Sequence, residues 1–216
     1  FNLAMKSDTA AVADGDRMST RDLLLTAASE LMRKRDTLNV PISEIAAEAG
    51  VNSALVKYYF GNKNGLMLAL LERDLGASIT QLSALVNMDM SPSKKMRYHL
   101  SGLVRMYFRC PYLQRLLIKT MRDESADIAR DIAEKYLAPI SHAYHAMISE
   151  GVAAGEFKPI DSRLFYFIAI GAADQIFSAR FVLKYVHGID EIDDELRRAY
   201  VDTTITLIMD GLLAKS

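Results

Sequence analysis

The stretch from Ile42 to Lys63 reads "ISEIAAEAGVNSALVKYYFGNK" and places two short helix-like segments on either side of a glycine. In a helix-turn-helix the two helices cross closely, so one position must be small and the turn favours glycine. Ala46 is the small residue, and Gly50 follows four residues later at the turn. The positions that would lock the helices together are apolar: Ile45, Ala49, Val51, Val56 and Tyr59. The stretch therefore predicts a helix-turn-helix.

The second helix of this unit carries residues that a purely structural hairpin does not need. Its outward positions are Ser53, Ala54, Lys57 and Tyr58. Helix N-termini and lysines bind phosphates, and Ser, Ala, Lys and Tyr side chains contact base edges or thymine methyl groups. We therefore expect these four residues to face a DNA major groove, with a structural helical hairpin as the alternative.

Charge supports this expectation only mildly. Between Ser19 and Lys63 there are six Lys and Arg and five Asp and Glu, a local net charge of +1. The basic residues gather at the end of the first predicted helix and along the second helix of the motif. The net charge of the whole chain is −1, which neither suggests nor excludes nucleic acid, because a local patch matters more than the total.

Composition indicates an ordinary globular protein of 216 residues, with 50 % hydrophobic and 25 % charged residues. The single cysteine, Cys110, cannot form an internal disulfide, which favours a cytoplasmic location. The longest apolar run, residues 164–173, is broken by Asp174 and is shorter than the ~20 residues that a membrane span needs. Residues 1–17 contain no signal-peptide core and are expected to form a flexible N-terminal arm.

Helical periodicity dominates the rest of the chain, and convincing strand patterns are absent. Ser19 and Asp22 make a capping-box-like start before an apolar stripe that ends at "RKRD". Further helices are predicted at about 66–86, 93–109, 112–123, 126–151, 162–186 and 194–213. The fold is thus predicted to be all-α: a three-helix helix-turn-helix head over residues 18–65 and a larger helical body over 66–216, which begins with a connecting helix.

The head resembles the DNA-binding domain of the tetracycline-repressor (TetR) family. The segments "AASELM", "EIAAEAGVN" and "VKYYFGNKNGL" match the family's pattern at fixed offsets across residues 19–68, and "EGVAAGEFKPID" resembles the connection into its last two long helices. Three positions depart from the pattern: Lys57 replaces a tyrosine, Asn52 replaces a serine, and Pro41 stands where a capping threonine is common.

The resemblance implies roles for individual residues of the head. Phosphate contacts are implied for Ser43, Tyr59 and Lys63, and base-edge contacts for the four outward residues of the second helix. Asn52, at the start of that helix, joins the predicted DNA-binding set. The family also implies that the protein binds double-stranded, palindromic operator DNA.

A single recognition helix reads too few base pairs to find one site in a genome, so such heads usually act as two-fold dimers. The last two predicted helices carry apolar and small residues along one face, which suits a dimer interface but also the core of a monomer. The predicted interface residues are Phe165, Ile168, Ala172, Ile176, Thr204, Leu207 and Ile208.

An effector cavity inside the body is also implied by the resemblance, for a small molecule that is apolar or amphipathic. Its candidate lining residues fall on apolar stripes that would equally suit plain core: Leu103, Tyr107, Tyr136, Ile140, Asp174 and Phe177. Asp174 stands alone in an apolar run, and Arg180 is off its helix face. Its partner is therefore expected to be a ligand, another helix or a second subunit.

No metal, cofactor or enzymatic activity is predicted. His142 and His145 share a helix face, but no third ligand accompanies them, and metal sites need three or four. Catalytic motifs such as a Gly-x-Ser-x-Gly elbow or a phosphate-binding glycine loop are absent from the sequence. The expected function is a ligand-responsive, sequence-specific transcriptional regulator, a repressor that a small molecule releases from its operator. A helical protein-interaction module without specific DNA binding is the alternative.

Overall fold

The computed structural model describes residues 18–214, in which all regular elements are helical apart from one isolated bridge between Phe157 and Leu213. The head and the connecting helix contain α1 (Thr20–Arg35), α2 (Ile42–Glu48), α3 (Ala54–Phe60) and α4 (Lys63–Val86). The predicted all-α architecture with a helix-turn-helix head is confirmed. The predicted flexible arm at residues 1–17 lies outside the described residues.

The body contains seven α-helices and one π-helical segment between residues 92 and 212. They are α5 (Pro92–Arg109), α6 (Leu113–Asp123), α7 (Ala126–Ile132), the π-helical segment (Ala133–Leu137), α8 (Ala138–Ala153), α9 (Ser162–Ser178), α10 (Arg180–His187) and α11 (Asp194–Leu212).

Two helices that the sequence predicts as continuous are interrupted. The helix expected over 126–151 widens into the π-helical segment just before Pro139, whose ring cannot sit against the carbonyl four residues earlier in a regular helix. The helix expected over 162–186 breaks at Ala179, where φ is −110° and ψ is 38°, and α9 and α10 meet at 58°.

One hydrophobic core runs from the head into the body, because α4 belongs to both. Leu24 and Val56 of the head pack in the same cluster as Leu70 of α4 and Tyr107 of α5. A second cluster lies between α5, α8, α9 and α11 around Tyr144. Burial of this apolar surface is the main stabilising term, at ~25 cal/mol per Å² removed from water.

Polar contacts also join the head to the body. Arg115 of α6 pairs with Asp36, the left-handed residue that ends α1. Asn64 Nδ2 donates to Glu124 Oε1 at 2.7 Å, which ties the start of α4 to the end of α6. Both ends of α6 are thus linked to the head or to the start of α4 by polar contacts.

Within residues 18–214 no single helix is both long and apolar enough to cross a bilayer. The bent pair α9 and α10 meets that test jointly, by length and composition only.

Candidate functional site

The recognition helix α3 is anchored by its apolar side and projects its polar side. Val56 is 1 % exposed and packs in the head core with Ile45. The small side chain of Ala46, also buried, allows α2 to approach α3 closely. On the opposite side Lys57 is exposed, and 78 % of the Tyr58 surface is accessible. The predicted outward residues Ser53 and Ala54 are exposed as well. These four side chains are thus available to a large partner.

The turn between α2 and α3 has the geometry that the sequence predicts. Gly50 has a φ of +67°, a conformation that costs glycine little and other residues more. Asn52 then accepts a hydrogen bond from the Ala54 amide at 2.8 Å. Its side-chain oxygen caps the start of α3, so the structure gives Asn52 a positioning role. A direct DNA contact by Asn52 stays a prediction.

Tyr59 does not have the buried position expected of a locking residue, because 40 % of its surface is exposed. Leu55 and Phe60 pack against the core instead. The Tyr59 ring meets Tyr58 edge-on, with 4.9 Å between the ring centroids. The sequence prediction of Tyr59 as an apolar lock is therefore wrong, while its exposure is compatible with the phosphate contact that the resemblance implies.

The remaining two predicted phosphate contacts flank the motif. Ser43 is exposed in the first turn of α2. Lys63 is half-buried at the start of α4, and its Nζ donates to Asn39 Oδ1 at 3.3 Å. Both positions are compatible with contact to the phosphate backbone of a DNA duplex bound against α3. That role stays a prediction.

The junction of α3 and α4 depends on Gly65. A Cβ built there would lie 1.9 Å from the Phe60 carbonyl oxygen, which no side chain can occupy. Asn62 caps α4 by accepting from the Gly65 amide at 2.9 Å. The close contact between Gly65 and the Phe60 carbonyl group thus restricts the angle between α3 and α4.

Acidic neighbours neutralise the basic cluster at the end of α1. Arg35 pairs with Glu44 of α2, and Lys34 Nζ lies 3.2 Å from Glu48 Oε1. Lys57, by contrast, has no ion pair among residues 18–214. Within the described part of the chain, Lys57 of α3 is therefore free of ion pairs, whereas Lys34 and Arg35 at the end of α1 are paired with acids of α2.

The body contains a cavity of about 600 Å³ between α4 and α5, closed on one side by Arg197 of α11. Its walls include Leu82 and Leu85 of α4 and Met106 and Phe108 of α5. A second cleft of about 500 Å³ lies where α1, α3, α4 and α7 meet. The volume of the first cavity falls within the range of small-molecule sites, which is about 300–1,000 Å³.

The predicted cavity residues do not gather around one space. Leu103 lines the 600 Å³ cavity and Tyr136 lines the 500 Å³ cleft. Tyr107, Asp174 and Phe177 are buried between α5 and α9, and Ile140 packs against the second core cluster. Sequence reasoning missed His99, Arg105, Arg109 and Arg197; the spacing of Arg105 and Arg109 on one helix face is the signal that was available.

Asp174 is 7 % exposed and finds its main partner on its own helix. Ser178 Oγ donates to Asp174 Oδ2 at 2.6 Å, while Oδ1 has no partner among the described residues. Burial raises the pKa of Asp174, opposed by the Ser178 hydrogen bond and the charge of Arg115. Among the described residues, the only hydrogen-bond partner of Asp174 is thus on its own helix, and Arg115, which pairs with Asp36 in the head, acts on Asp174 through charge alone.

His99 lies at the cavity wall as a neutral imidazole. Burial lowers its pKa to about 4, and one ring nitrogen lies 2.8 Å from the Tyr144 hydroxyl. The arginines are therefore the only charged groups that line this cavity, and no carboxylate does so.

Helices α9 and α11 both leave large apolar side chains in solvent. Leu164, Phe167 and Ile168 of α9 are 61 %, 72 % and 54 % exposed, and Leu207 of α11 is 70 % exposed. Among the predicted interface residues, Ile168 and Leu207 belong to this surface. Phe165 and Thr204 are buried within the protomer, where their side chains cannot reach a partner. Ala172, Ile176 and Ile208 are half-buried.

Other residues that the sequence singled out have ordinary surroundings. His142 is exposed, and His145 Nδ1 lies 3.3 Å from Ser162 Oγ. Across residues 18–214, no group of three or more His, Cys, Asp or Glu is placed to hold a metal ion. Burial raises the pKa of the Cys110 thiol, the opposite of what activates a nucleophile.

Comparison with known proteins divides the chain as the structure does. The family profile "Bacterial regulatory proteins, tetR family" matches residues 24–70. The profile "Tetracyclin repressor-like, C-terminal domain" matches residues 89–216, more than half of the chain.

Curated relatives resemble mainly the head. The chain is 41 % identical over 68 residues to the HTH-type transcriptional regulator BetI of Brucella suis, covering 28 % of this chain and 34 % of the relative. It is 36 % identical over 89 residues to BetI of Rhizobium meliloti, covering 41 % and 42 %. The matched stretch thus spans well under half the length of these relatives.

Solved structures match the whole fold. A TetR/AcrR-family regulator from Thermobifida fusca has a TM-score of 0.66 at 20 % identity, covering 88 % of this chain and 97 % of its own. FadR from Bacillus subtilis in complex with stearoyl-CoA has a TM-score of 0.66 at 19 % identity, covering 88 % and 98 %. With profiles matching both the head and the body, this chain belongs to the tetracycline-repressor (TetR) family of transcriptional regulators.

Proposed function

We propose that the protein is a ligand-responsive, sequence-specific DNA-binding repressor that binds a palindromic operator as a homodimer and leaves it when a small molecule occupies the body. The observation that carries this proposal is α3, whose buried Val56 fixes the helix while Lys57 and Tyr58 project into solvent without acidic partners. Membership of a family of transcriptional regulators supports the same function.

The proposed contacts divide by chemistry. Lys57 and Tyr58, together with Ser53 and Ala54, would meet base edges, because they lie on the exposed side of α3. Ser43, Tyr59 and Lys63 would hold phosphates, which set the register of the head on the duplex but carry no sequence information. Asn52 would act through the shape of α3 that its cap maintains.

The exposed apolar side chains of α9 and α11 support the dimer. Contiguous exposed apolar surface on a monomer commonly marks a protein interaction site. A second copy of the chain is the occupant we propose, because a two-fold pair of heads is what a palindromic half-site arrangement requires. Ile168 and Leu207 would be central to this contact, flanked by the half-buried Ala172, Ile176 and Ile208. Phe165 and Thr204 would support it from inside the protomer.

Release by ligand would act through α4. Its first half packs in the head core and its second half forms a wall of the 600 Å³ cavity. A ligand shifts the equilibrium between DNA-competent and released forms only by its difference in affinity for the two.

Selection of bound fragments from a genomic DNA library, repeated at two salt concentrations, tests the proposal. We expect a palindromic motif bound at least about 10³-fold more tightly than bulk DNA. Lys57→Ala should weaken operator binding by about ten-fold or more, as loss of a base or phosphate contact does.

Lys94→Ala is the matched control, since Lys94 is an exposed lysine of the body. Equal losses in both variants would argue against base reading by α3. Binding without a recovered motif, falling uniformly with salt, would favour non-specific attraction or the protein-interaction alternative.

A further inference from the structure

The 600 Å³ cavity combines apolar walls with positive charge and lacks any opposing acid. Leu82 and Leu85 line it from α4, and Leu103 and Met106 line it from α5. Arg105 and Arg109 also line it, and no Asp or Glu does. Such a space suits a molecule with an apolar body and a negative group.

The two arginines of α5 are available to bind an anion. They stand four residues apart, so they share one face of the helix. Arg105 donates to Ser101 Oγ at 2.7 Å, and neither guanidinium has an acidic partner among residues 18–214. Guanidinium groups bind carboxylates and phosphates through paired hydrogen bonds, which gives them an advantage over lysine at such sites.

A third arginine contributes in a different way. Arg197 of α11 stacks over the Phe108 ring, with 4.9 Å from its Cζ to the ring centroid, and pairs with Asp194 at 2.9 Å. Its charge is therefore already balanced, and its planar group serves as part of the wall. The anion-binding capacity of the cavity is concentrated on Arg105 and Arg109.

Nearer the start of α5 the wall is uncharged. His99 is a neutral imidazole that lies 2.8 Å from the Tyr144 hydroxyl. The only charges here are positive, which disfavours a cation. Of the two aromatic side chains in the lining, Tyr98 and Phe108, the second already stacks with Arg197. The cavity thus discriminates against cations of the same length.

We propose that the effector is an anionic amphiphile, a carboxylate or phosphate ester with an apolar chain, whose negative group binds Arg105 and Arg109 while its chain lies between α4 and α5. This inference rests on the proposed function only in naming the ligand an effector. Because α4 carries Leu82 and Leu85 into the cavity and Leu66 and Leu70 into the head core, occupancy presses directly on the helix that orients the head.

Calorimetric titration of the full chain with decanoate, decanol and decyltrimethylammonium, each below its micelle concentration, tests the charge preference. We expect decanoate to bind about ten-fold more tightly than decanol or better, as hydrogen bonds to charged groups predict, and the cation to bind weakest. Equal affinity for decanoate and decanol, tighter binding of the cation, or no binding of any probe would overturn the inference.

Variants locate the site. Arg105→Gln/Arg109→Gln should abolish the preference for decanoate and leave decanol binding unchanged. Arg97→Gln, an exposed arginine of the same helix outside the cavity, should keep the preference. Gly102→Leu should weaken both decanoate and decanol by about ten-fold, because Gly102 lines the cavity and a Cβ there meets no atom within 4 Å. Loss of the preference in Arg97→Gln would place the anion elsewhere.

Operator binding, measured separately, keeps the two proposals apart. A protein that binds decanoate but recovers no DNA motif would overturn the proposed function and leave the ligand class standing. A protein that binds its operator but not decanoate would do the reverse. If both hold, decanoate should lower operator affinity in the wild type and fail to do so in Gly102→Leu.

Discussion

The recognition helix and the body cavity both bring positive charge beside aromatic or apolar side chains, yet they are suited to different partners. On α3, Lys57 and Tyr58 project from a short helix into solvent. In the cavity, Arg105 and Arg109 border a recess of about 600 Å³. A projecting surface can follow a long polymer, whereas a recess admits only what fits. With similar charge, shape decides the class of ligand.

The largest effect is expected from Phe167→Asp, which should disrupt the proposed dimer and leave monomers with a single head. A charge at Phe167, next to Ile168 in the proposed interface, would be buried unpaired twice, at a cost of about 4 kcal/mol. Light scattering should then find monomers at concentrations where the wild type is dimeric, and operator affinity should fall with it. Ile118→Asp, at an exposed position of α6, is the control; a dimeric Phe167→Asp would move the interface away from α9.

Gly65→Ala should damage the head at the start of α4 while leaving α5 and the part of α4 that lines the cavity intact. The new Cβ would meet the Phe60 carbonyl oxygen, so α3 must move, at a cost of about 3 kcal/mol. Urea denaturation followed by circular dichroism measures the loss. Gly76→Ala, in the same helix with open space around it, should instead gain about 0.5–1 kcal/mol. Similar behaviour of the two variants would contradict the tight junction.

A smaller effect is expected from His99 at the cavity wall, through the pH dependence of the free energy of unfolding. Burial lowers the folded-state pKa of His99 to about 4, so neutral His99 contributes stability that is present above its unfolded pKa of about 6.5. That contribution is lost as the pH falls from about 6.5 towards 4, and amounts to about 2 kcal/mol after allowance for partial exposure. The free energy of unfolding of His99→Gln should fall less steeply over this window. Parallel curves would mean that His99 is solvated.

Asp174→Asn should give the smallest change, confined to the body. Burial raises the folded-state pKa of Asp174, so its contribution to stability is greatest below the unfolded pKa and is lost as the pH rises through the folded one. Relative to the wild type, Asp174→Asn should therefore gain stability as the pH rises from about 4 towards neutrality. A difference that is constant with pH, measured by urea denaturation, would show that burial does not raise the pKa of this carboxyl.

The head was predictable because its constraints are local. The close crossing of two short helices needs Ala46 and Gly50 at a fixed spacing, and the structure has both where the sequence placed them. Tyr59 was the exception, since an aromatic residue in a seven-residue helix fits either side of it. Tyr59 lies on the exposed side because Leu55 and Phe60 occupy the positions of α3 that pack against the core.

The body was predictable in helix content but not in the direction that its helices face. α9 is apolar nearly all round, so periodicity alone does not say that Phe165 faces inward and Phe167 outward. The break at Ala179 has no glycine or proline to announce it. The cavity also depends on tertiary packing, because it lies where α4 and α5 do not pack directly against each other.

By itself, the sequence determined the helical fold, the helix-turn-helix and most of the residues that α3 presents, Tyr59 excepted, because capping, turn geometry and close approach act over a few residues. Only the tertiary structure decided which apolar residues of α9 and α11 remain exposed, that Arg115 pairs with Asp36, and that Arg105 and Arg109 border a cavity. Those features depend on how helices far apart in the chain pack against one another. Local sequence patterns carry no information about such long-range packing.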